Sequence, residues 1–104
     1  FYMVSYYNPS PRTHAPHHDP AAVERYPPGD REERVATIQR LSRPVIHYKI
    51  LAAGRNDPVQ AFAYTARYMR PQDAVCVGIF AKDNPNMLAE DVDLLLESLR
   101  EVGQ

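Results

Sequence analysis

Little in the sequence is typical of a secreted, membrane-spanning or nucleic-acid-binding protein. It holds one cysteine, Cys76, so no disulfide forms within the chain, and no zinc-finger spacing of Cys and His occurs. The 12 Lys and Arg residues are balanced by 13 Asp and Glu residues, so the net charge of -1 provides no attraction to polyanions. No apolar run approaches the roughly 18 residues that span a bilayer. We therefore expect a cytoplasmic protein with neither a nucleic-acid nor a membrane partner.

Proline, by contrast, is abundant and unevenly distributed. Six of the 10 prolines precede residue 29. Because proline fixes φ and lacks an N–H, they predict a long Pro/His-rich loop over 9–29. The same stretch holds His14, His17, His18 and Asp19, whose side chains are of metal-ligating type. No regular element would fix their geometry, so we predict a solvated loop and no metal site.

Elsewhere the apolar pattern alternates between the periods of strands and helices. Strands are predicted over 1–7, 45–51 and 74–80, and helices over 31–41, 58–70 and 85–102. This order predicts an α/β fold, a single unit of three β/α repeats with parallel strands and helices outside the sheet. Three parallel strands leave two unpaired edges, and Phe1 already lies within a strand pattern. We therefore expect further strands from a longer chain, or self-association.

Side-chain environments are also predicted from these elements. Leu88, Val92, Leu95, Leu99 and Val102 recur at helical spacing and are expected to form the buried face of the last helix. The acidic residues of that helix are expected on its solvent face, and Cys76, between two valines, is expected to be a buried thiol. Those acidic residues are Glu90, Asp91, Asp93, Glu97 and Glu101.

Several short motifs follow one another in an order that resembles one enzyme family. They are Tyr6-Tyr7-Asn8-Pro9, Val45 to Gly54, Asp57 to Tyr64, Val77 to Asp83 and Glu90-Asp91. The series resembles the last three strand-helix units of the aldo/keto reductase superfamily, which are TIM-type (β/α)8 barrels that reduce carbonyl compounds with NADP. The resemblance implies that the chain is the C-terminal part of such a barrel. The function it implies is NADP-dependent oxidoreduction of a carbonyl or sugar-like substrate.

The resemblance also implies where the cofactor lies. Tyr48 stands at the place of the aromatic residue that stacks on the nicotinamide, and Lys82 at that of the lysine that holds the adenosine 2′-phosphate. Asp83 stands where the family has a serine phosphate ligand, Met87 where it has an arginine, and Val4 where it has a glutamine. The family's catalytic groups lie in the first half of its barrel, outside the matched motifs.

Lys49 is the candidate catalytic residue that the sequence itself offers. Strand alternation places His47 and Lys49 on one face and Ile46, Tyr48 and Ile50 on the other, helix-covered face, so that Lys49 lies near the barrel mouth. A lysine there could form a Schiff base with a carbonyl substrate or bind an anion. A Schiff-base lyase or aldolase and a non-catalytic barrel scaffold are therefore the alternative functions, and a solvated strand-end lysine is the structural alternative.

Three further residues are candidate substrate contacts. Tyr7 and Asn8 lie at the end of the first predicted strand, where parallel α/β folds bind ligands. His47 lies within the second predicted strand, on the same predicted face as Lys49. The structural alternatives are aromatic core packing for Tyr7 and a buried, hydrogen-bonded imidazole for His47.

Overall fold

The computed structural model of the protein describes residues 1–7 and 26–103. Its elements in chain order are β1 (Tyr2–Ser5), α1 (Pro28–Ile38), β2 (Val45–Tyr48), a single 3-10 turn (Ala52–Gly54), α2 (Pro58–Tyr68), β3 (Ala74–Cys76) and α3 (Met87–Glu101). Each of the three predicted strands and three predicted helices is present, so the α/β class is confirmed.

The strands form one parallel sheet in the order β1-β2-β3. In its register Tyr2 is paired with Val45, and His47 lies between Val4 and Val75. Parallel strands direct their carboxyl ends to the same edge of the sheet, so the segments after β2 and β3 come together there. The predicted parallel order is confirmed.

Proline defines where two of the helices begin. Asp57 caps α2, because its side chain accepts a hydrogen bond from the N–H of Gln60 at 3.1 Å, and Pro58 occupies the first helical position. Helix α1 also begins with a proline, Pro28, so the predicted loop over 9–29 is wrong at its carboxyl end. Asp30 lies in the first turn of α1. The rest of the predicted loop, 9–25, lies outside the described residues.

The core lies on the face of the sheet that carries Val45 and His47, both fully buried. Val35 and Ile38 of α1 and Phe62 of α2 are buried in the same cluster as Val45. The predicted assignment of the faces of β2 is therefore wrong. Ile46 and Tyr48, expected beneath the helices, are only half-buried, and so belong to the open face.

The alternation of β2 ends at Lys49 because its backbone adopts φ 57, in the left-handed region. This conformation turns the chain, so that Ile50 is buried and Lys49 exposed although both follow the same strand. The second strand therefore ends at Tyr48 instead of at residue 51. The third strand is also shorter than predicted, and ends at Cys76 instead of at residue 80. Cys76 is exposed, contrary to the prediction of a buried thiol.

Helix α3 packs against α2 with an unexpected face. Asp91 and Ser98, seven residues apart and hence on one side of the helix, are its buried residues. Leu88, Val92 and Leu96 are 45–56% exposed. Val102 is 40% exposed. The predicted buried face is therefore wrong for Leu88, Val92 and Val102, and the predicted solvent face is wrong for Asp91. Among the helices of the described segments, none is both long and apolar enough to cross a membrane.

Candidate functional site

A cavity of about 850 Å³ lies at the carboxyl ends of β2 and β3, and we call it the cleft. One wall is formed by Tyr48 and most of the segment 49–54. A second wall is formed by residues 76–80, which begin with Cys76, the last residue of β3. The first turns of α3 close a third side. This is the edge of a parallel sheet at which α/β proteins bind their ligands, because the loops there are free to vary without disturbing the strands.

The wall at 49–54 has an unusual backbone. Lys49, Ala52 and Ala53 have φ values of 57, 50 and 54, and Gly54 has φ 84. Non-glycine residues seldom occupy this region, because Cβ approaches the carbonyl oxygen that follows it. Four left-handed residues in a stretch of six fold the chain tightly back beneath the cleft. Strained backbone of this kind concentrates at ligand-binding sites.

Asn56 ties this tight segment to the end of β1. Its side-chain amide donates to the Tyr7 hydroxyl at 3.0 Å and to the carbonyl of Ile50 at 3.2 Å. The ring of Tyr7 meets the ring of Tyr26 edge-on, with 5.5 Å between the ring centroids. The guanidinium of Arg55 lies over the same Tyr26 ring, 4.6 Å from its centroid. Tyr7, a predicted substrate contact, is 3% exposed and is not among the residues that line the cleft. Its hydroxyl instead holds Asn56, which does line the cleft.

Carboxylates line the α3 side of the cleft. Asp91 is 7% exposed, and its Oδ2 has no hydrogen-bond partner among the described residues. Burial, and then the neighbouring charge of Glu90, raises the pKa of the Asp91 carboxyl. Glu90 itself accepts a hydrogen bond from the side-chain amide of Asn84 at 2.9 Å. This end of the cleft thus presents acidic groups and hydrogen-bond acceptors.

Two of the residues predicted for the site line the cleft together, Tyr48 and Lys49. Tyr48 is half-buried on the open face of the sheet, where it also borders a second cavity of about 700 Å³ beside β1 and α1. Lys82 and Asp83 are exposed in the turn between β3 and α3 and are not among the lining residues. Asn8 lies outside the described residues.

His47 occupies a different place, beneath the sheet and away from the cleft. Its Nε2 lies 2.9 Å from Oδ2 of Asp73 and its Nδ1 lies 2.9 Å from the hydroxyl of Tyr6, with the imidazole fully buried. Burial raises the pKa of Tyr6, so its phenol is neutral and donates to Nδ1, while Nε2–H donates to Asp73. The structure thus brings His47 together with Tyr6 and Asp73, not with Lys49.

Asp73 is the centre of this buried network. It accepts hydrogen bonds from the backbone N–H of Val45 at 3.0 Å and from the Arg70 guanidinium at 3.1 Å, in addition to His47. Burial alone raises the pKa of Asp73, but hydrogen bonds from Arg70, His47 and Val45 outweigh that effect and lower the pKa to about 2. The network lies at the amino-terminal side of β3 and holds β2 against it.

The NADP implied by the resemblance fits the cleft only at one end. The half-buried ring of Tyr48 provides a surface on which a planar nicotinamide could stack. At the other end Met87, Glu90 and Asp91 line the cleft, and no arginine is among the lining residues of the described segments. The carboxylates of Glu90 and Asp91 disfavour a phosphate, which needs donors and positive charge. These residues do not fit a 2′-phosphate.

Sequence patterns do not reveal three residues that organise the site and the buried network: Asp73, Asn56 and Asp91. Asp73 follows Pro71-Gln72 and resembles an ordinary turn residue, and Asn56 precedes an evident helix cap. Asp91 lies within an acidic run whose neighbours are exposed.

No group of three or more His, Cys, Asp and Glu side chains that could hold a metal ion occurs within 1–7 and 26–103. Comparison with protein families, with curated proteins and with solved structures finds no match to this chain.

Proposed function

We propose that this chain forms part of an enzyme similar to the aldo/keto reductases, and that its cleft binds a small carbonyl or sugar-like molecule. The observation that carries the proposal is the position of the cleft at the carboxyl ends of β2 and β3, with Tyr48 and Lys49 among its lining residues. In barrels of this class the equivalent edge carries the active site. Further β/α units would complete the barrel around the open face.

The composition of the cleft supports a neutral, partly polar ligand. Its walls combine exposed apolar side chains, Val59, Ile79 and Phe80, with the amides of Asn56 and Asn84. Apolar walls with a few fixed polar groups are typical of small-molecule sites, since the walls exclude water while the polar groups orient the ligand. A sugar-like molecule offers both an apolar ring face and hydroxyl donors for Glu90 and Asp91.

Lys49 is the group best placed to act on a carbonyl. As an ammonium it would donate a hydrogen bond to the carbonyl oxygen and polarise the C=O bond. Its left-handed backbone directs the chain away from the strand and into the cleft wall, and Ile50 is buried as an anchor next to it. Reduction would then require a hydride donor. The resemblance implies NADP as that donor with its nicotinamide on Tyr48, but the lining residues do not fit the 2′-phosphate, so no step is assigned to it.

A second candidate function follows from the same lysine. The unprotonated amine of Lys49 could attack the carbonyl carbon to give a carbinolamine, which loses water to form an imine, as in Schiff-base aldolases. This route needs no hydride donor. The presence of Lys49 in the cleft, without a cofactor phosphate site, is the observation that favours it.

Borohydride trapping separates the two functions, and the sequence supplies an internal control. The chain has two lysines, Lys49 in the cleft and Lys82 in an exposed turn outside it. The 104-residue chain would be incubated with glyceraldehyde and borohydride, then digested and analysed by mass spectrometry. Labelling of Lys49 well above Lys82 supports the Schiff-base function. Equal labelling of both lysines contradicts it.

Titration with NADPH, followed by the change in cofactor fluorescence, tests the reductase function. We expect Tyr48→Ala to weaken binding by roughly fivefold, because an aromatic stacking contact contributes about 1 kcal/mol. Tyr68→Ala, which removes a half-buried tyrosine of α2 outside the cleft, is the control. If NADPH does not bind and glyceraldehyde neither reacts nor binds, the cleft has no role in carbonyl chemistry, and a non-catalytic scaffold is favoured.

A further inference from the structure

Asn56 lines the cleft with a side-chain amide whose donors are both taken up by the protein. Its Nδ2 donates to the hydroxyl of Tyr7 at 3.0 Å and to the backbone carbonyl of Ile50 at 3.2 Å. A backbone carbonyl can only accept, so the atom beside Ile50 is the amide nitrogen and not Oδ1. The polar atom that the Asn56 side chain leaves for a ligand is therefore Oδ1, which is an acceptor.

Asn84, the second amide that lines the cleft, is engaged in a different way. Its Nδ2 donates to Glu90 at 2.9 Å, and its Oδ1 accepts from the backbone N–H of Asn86 at 3.1 Å. Both ends of this amide thus hold the turn before α3, whereas both hydrogen bonds of Asn56 use its nitrogen. The two amides are not equivalent toward a ligand.

The contacts of Asn56 also fix its orientation and place it next to Lys49. Two hydrogen bonds from one planar amide set its rotation, and both acceptors belong to the buried core, since Tyr7 is 3% and Ile50 is 1% exposed. Ile50 directly follows Lys49, whose ammonium can donate to a ligand. One wall of the cleft therefore offers a cationic donor and, beside its backbone, an acceptor that is held in place before a ligand arrives.

We infer that the cleft prefers an α-hydroxycarbonyl compound, whose carbonyl oxygen accepts from Lys49 and whose neighbouring hydroxyl donates to Oδ1 of Asn56. The inference rests on the proposed function, because it takes Lys49 as the group that meets the carbonyl. A carbonyl compound without the hydroxyl leaves the fixed acceptor unmet, and sites built around such a hydrogen bond discriminate against the analogue that lacks it. Asn56 is then the residue that determines specificity.

Three probes with the same three-carbon skeleton test the preference. Dihydroxyacetone has a carbonyl with hydroxyl neighbours, acetone has the carbonyl alone, and glycerol has hydroxyls alone. Each is titrated into the isotope-labelled 104-residue chain, and binding is followed by NMR from the side-chain amide of Asn56 and the backbone amides of 49–54. We expect dihydroxyacetone to bind about tenfold more tightly than acetone. The Asn56 amide signals are expected to shift with dihydroxyacetone and glycerol, and not with acetone.

The probes separate failure of this inference from failure of the proposed function. Acetone that binds as tightly as dihydroxyacetone overturns the inference and leaves carbonyl binding in place. Dihydroxyacetone that binds no more tightly than glycerol contradicts carbonyl binding, and the inference falls with it. If none of the three binds, both are overturned.

Substitution of Asn56 tests its role directly. Asn56→Leu removes the acceptor at similar volume, and we expect the preference for dihydroxyacetone over acetone to fall to about twofold or less. Gln60→Leu removes an exposed amide of α2 outside the cleft and is expected to keep the preference. Tyr7→Phe removes one anchor of the amide and is the second variant should Asn56→Leu fail to fold by circular dichroism; it is expected to lower the preference by about threefold. An unchanged preference in the variant that folds overturns the inference.

Discussion

The imidazole of His47 donates to the buried carboxylate of Asp73 across 2.9 Å, and so joins the middle of β2 to the residue that precedes β3. Arg70, two residues after α2, donates hydrogen bonds from Nε and Nη2 of its guanidinium to the same carboxylate, each at 3.1 Å. Arg70 also donates to the carbonyls of Leu41 and Arg43, before β2. One carboxylate thus organises the starts of two parallel strands, which share no turn of their own.

The first prediction concerns acid stability. Because the pKa of Asp73 is lowered from 3.8 to about 2, its ionised form stabilises the fold, and this stability is complete above pH 4 and lost as the pH falls toward 2. Asp73→Asn is expected to lower the free energy of unfolding at neutral pH by roughly 3 kcal/mol, since Arg70 and His47 lose a buried charged partner. Urea denaturation at a series of pH values measures both effects.

Asp93→Asn is the matched control, because Asp93 is exposed on α3. It is expected to change stability by less than about 0.5 kcal/mol. If the free energy of unfolding of Asp73→Asn depends on pH between 4 and 2 as that of the wild type does, the Asp73 carboxylate is not the source of the acid sensitivity.

The second prediction concerns the tight segment beneath the cleft. Ala53 has φ 54 and ψ 39 and is exposed, so replacing it with glycine removes a steric cost without removing a buried side chain. We expect Ala53→Gly to raise the free energy of unfolding by about 0.5 kcal/mol, since the relief of strain exceeds the added chain entropy of the unfolded state. Thermal denaturation detects the change.

Ala63→Gly supplies the opposite case. Ala63 lies within α2, where glycine is expected to cost about 1 kcal/mol. If both glycine variants destabilise the protein equally, the left-handed conformation at position 53 is contradicted.

The third prediction concerns Asp91. Its carboxyl is buried with an unpartnered oxygen, and its pKa is raised, so its ionised form destabilises the fold at neutral pH. The free energy of unfolding is therefore not reduced by Asp91 below the unfolded pKa of its carboxyl, and it declines as the pH rises from there through the folded pKa. Asp91→Asn removes the charge at nearly constant shape, and we expect it to raise the free energy of unfolding at pH 7 by about 1 kcal/mol.

Comparison with Asp83→Asn isolates the effect of burial, because Asp83 is an exposed acidic residue near the same helix. A loss of stability in Asp91→Asn would contradict the prediction and would show that the carboxylate has a favourable partner. The same variant, measured with glyceraldehyde, reports whether Asp91 also contributes to ligand binding.

The fourth prediction concerns the start of α2. Asp57→Ala removes the side chain that accepts from the N–H of Gln60, and we expect a loss of about 1 kcal/mol in chemical denaturation. Asp57→Ser keeps a capping oxygen and is expected to lose much less. Equal losses in the two variants would mean that the cap is not what Asp57 contributes.

The helices and strands were predictable where a local signal is strong. Asp57-Pro58 begins α2 in the sequence as it does in the structure, because capping and the fixed φ of proline act within a few residues. The β-branched run from Val45 likewise predicts β2. The end of β2 was not predictable, since nothing in Tyr48-Lys49-Ile50 indicates that Lys49 adopts a left-handed conformation. The exposed Leu88, Val92 and Leu96 of α3 are similar, because helical spacing shows that apolar residues share a face but not whether a neighbour covers it.

The α/β class, the order of the elements and the residues that begin α2 follow from the sequence, because periodicity and the chemistry of Asp and Pro act within short stretches of chain. Only the packing of the elements buries His47 on Asp73 while Lys49 faces the cleft, and buries Asp91 while Leu96 is exposed. Those environments depend on which elements meet in space. Residues 26 positions apart, such as His47 and Asp73, come into contact only through the parallel register of β2 and β3.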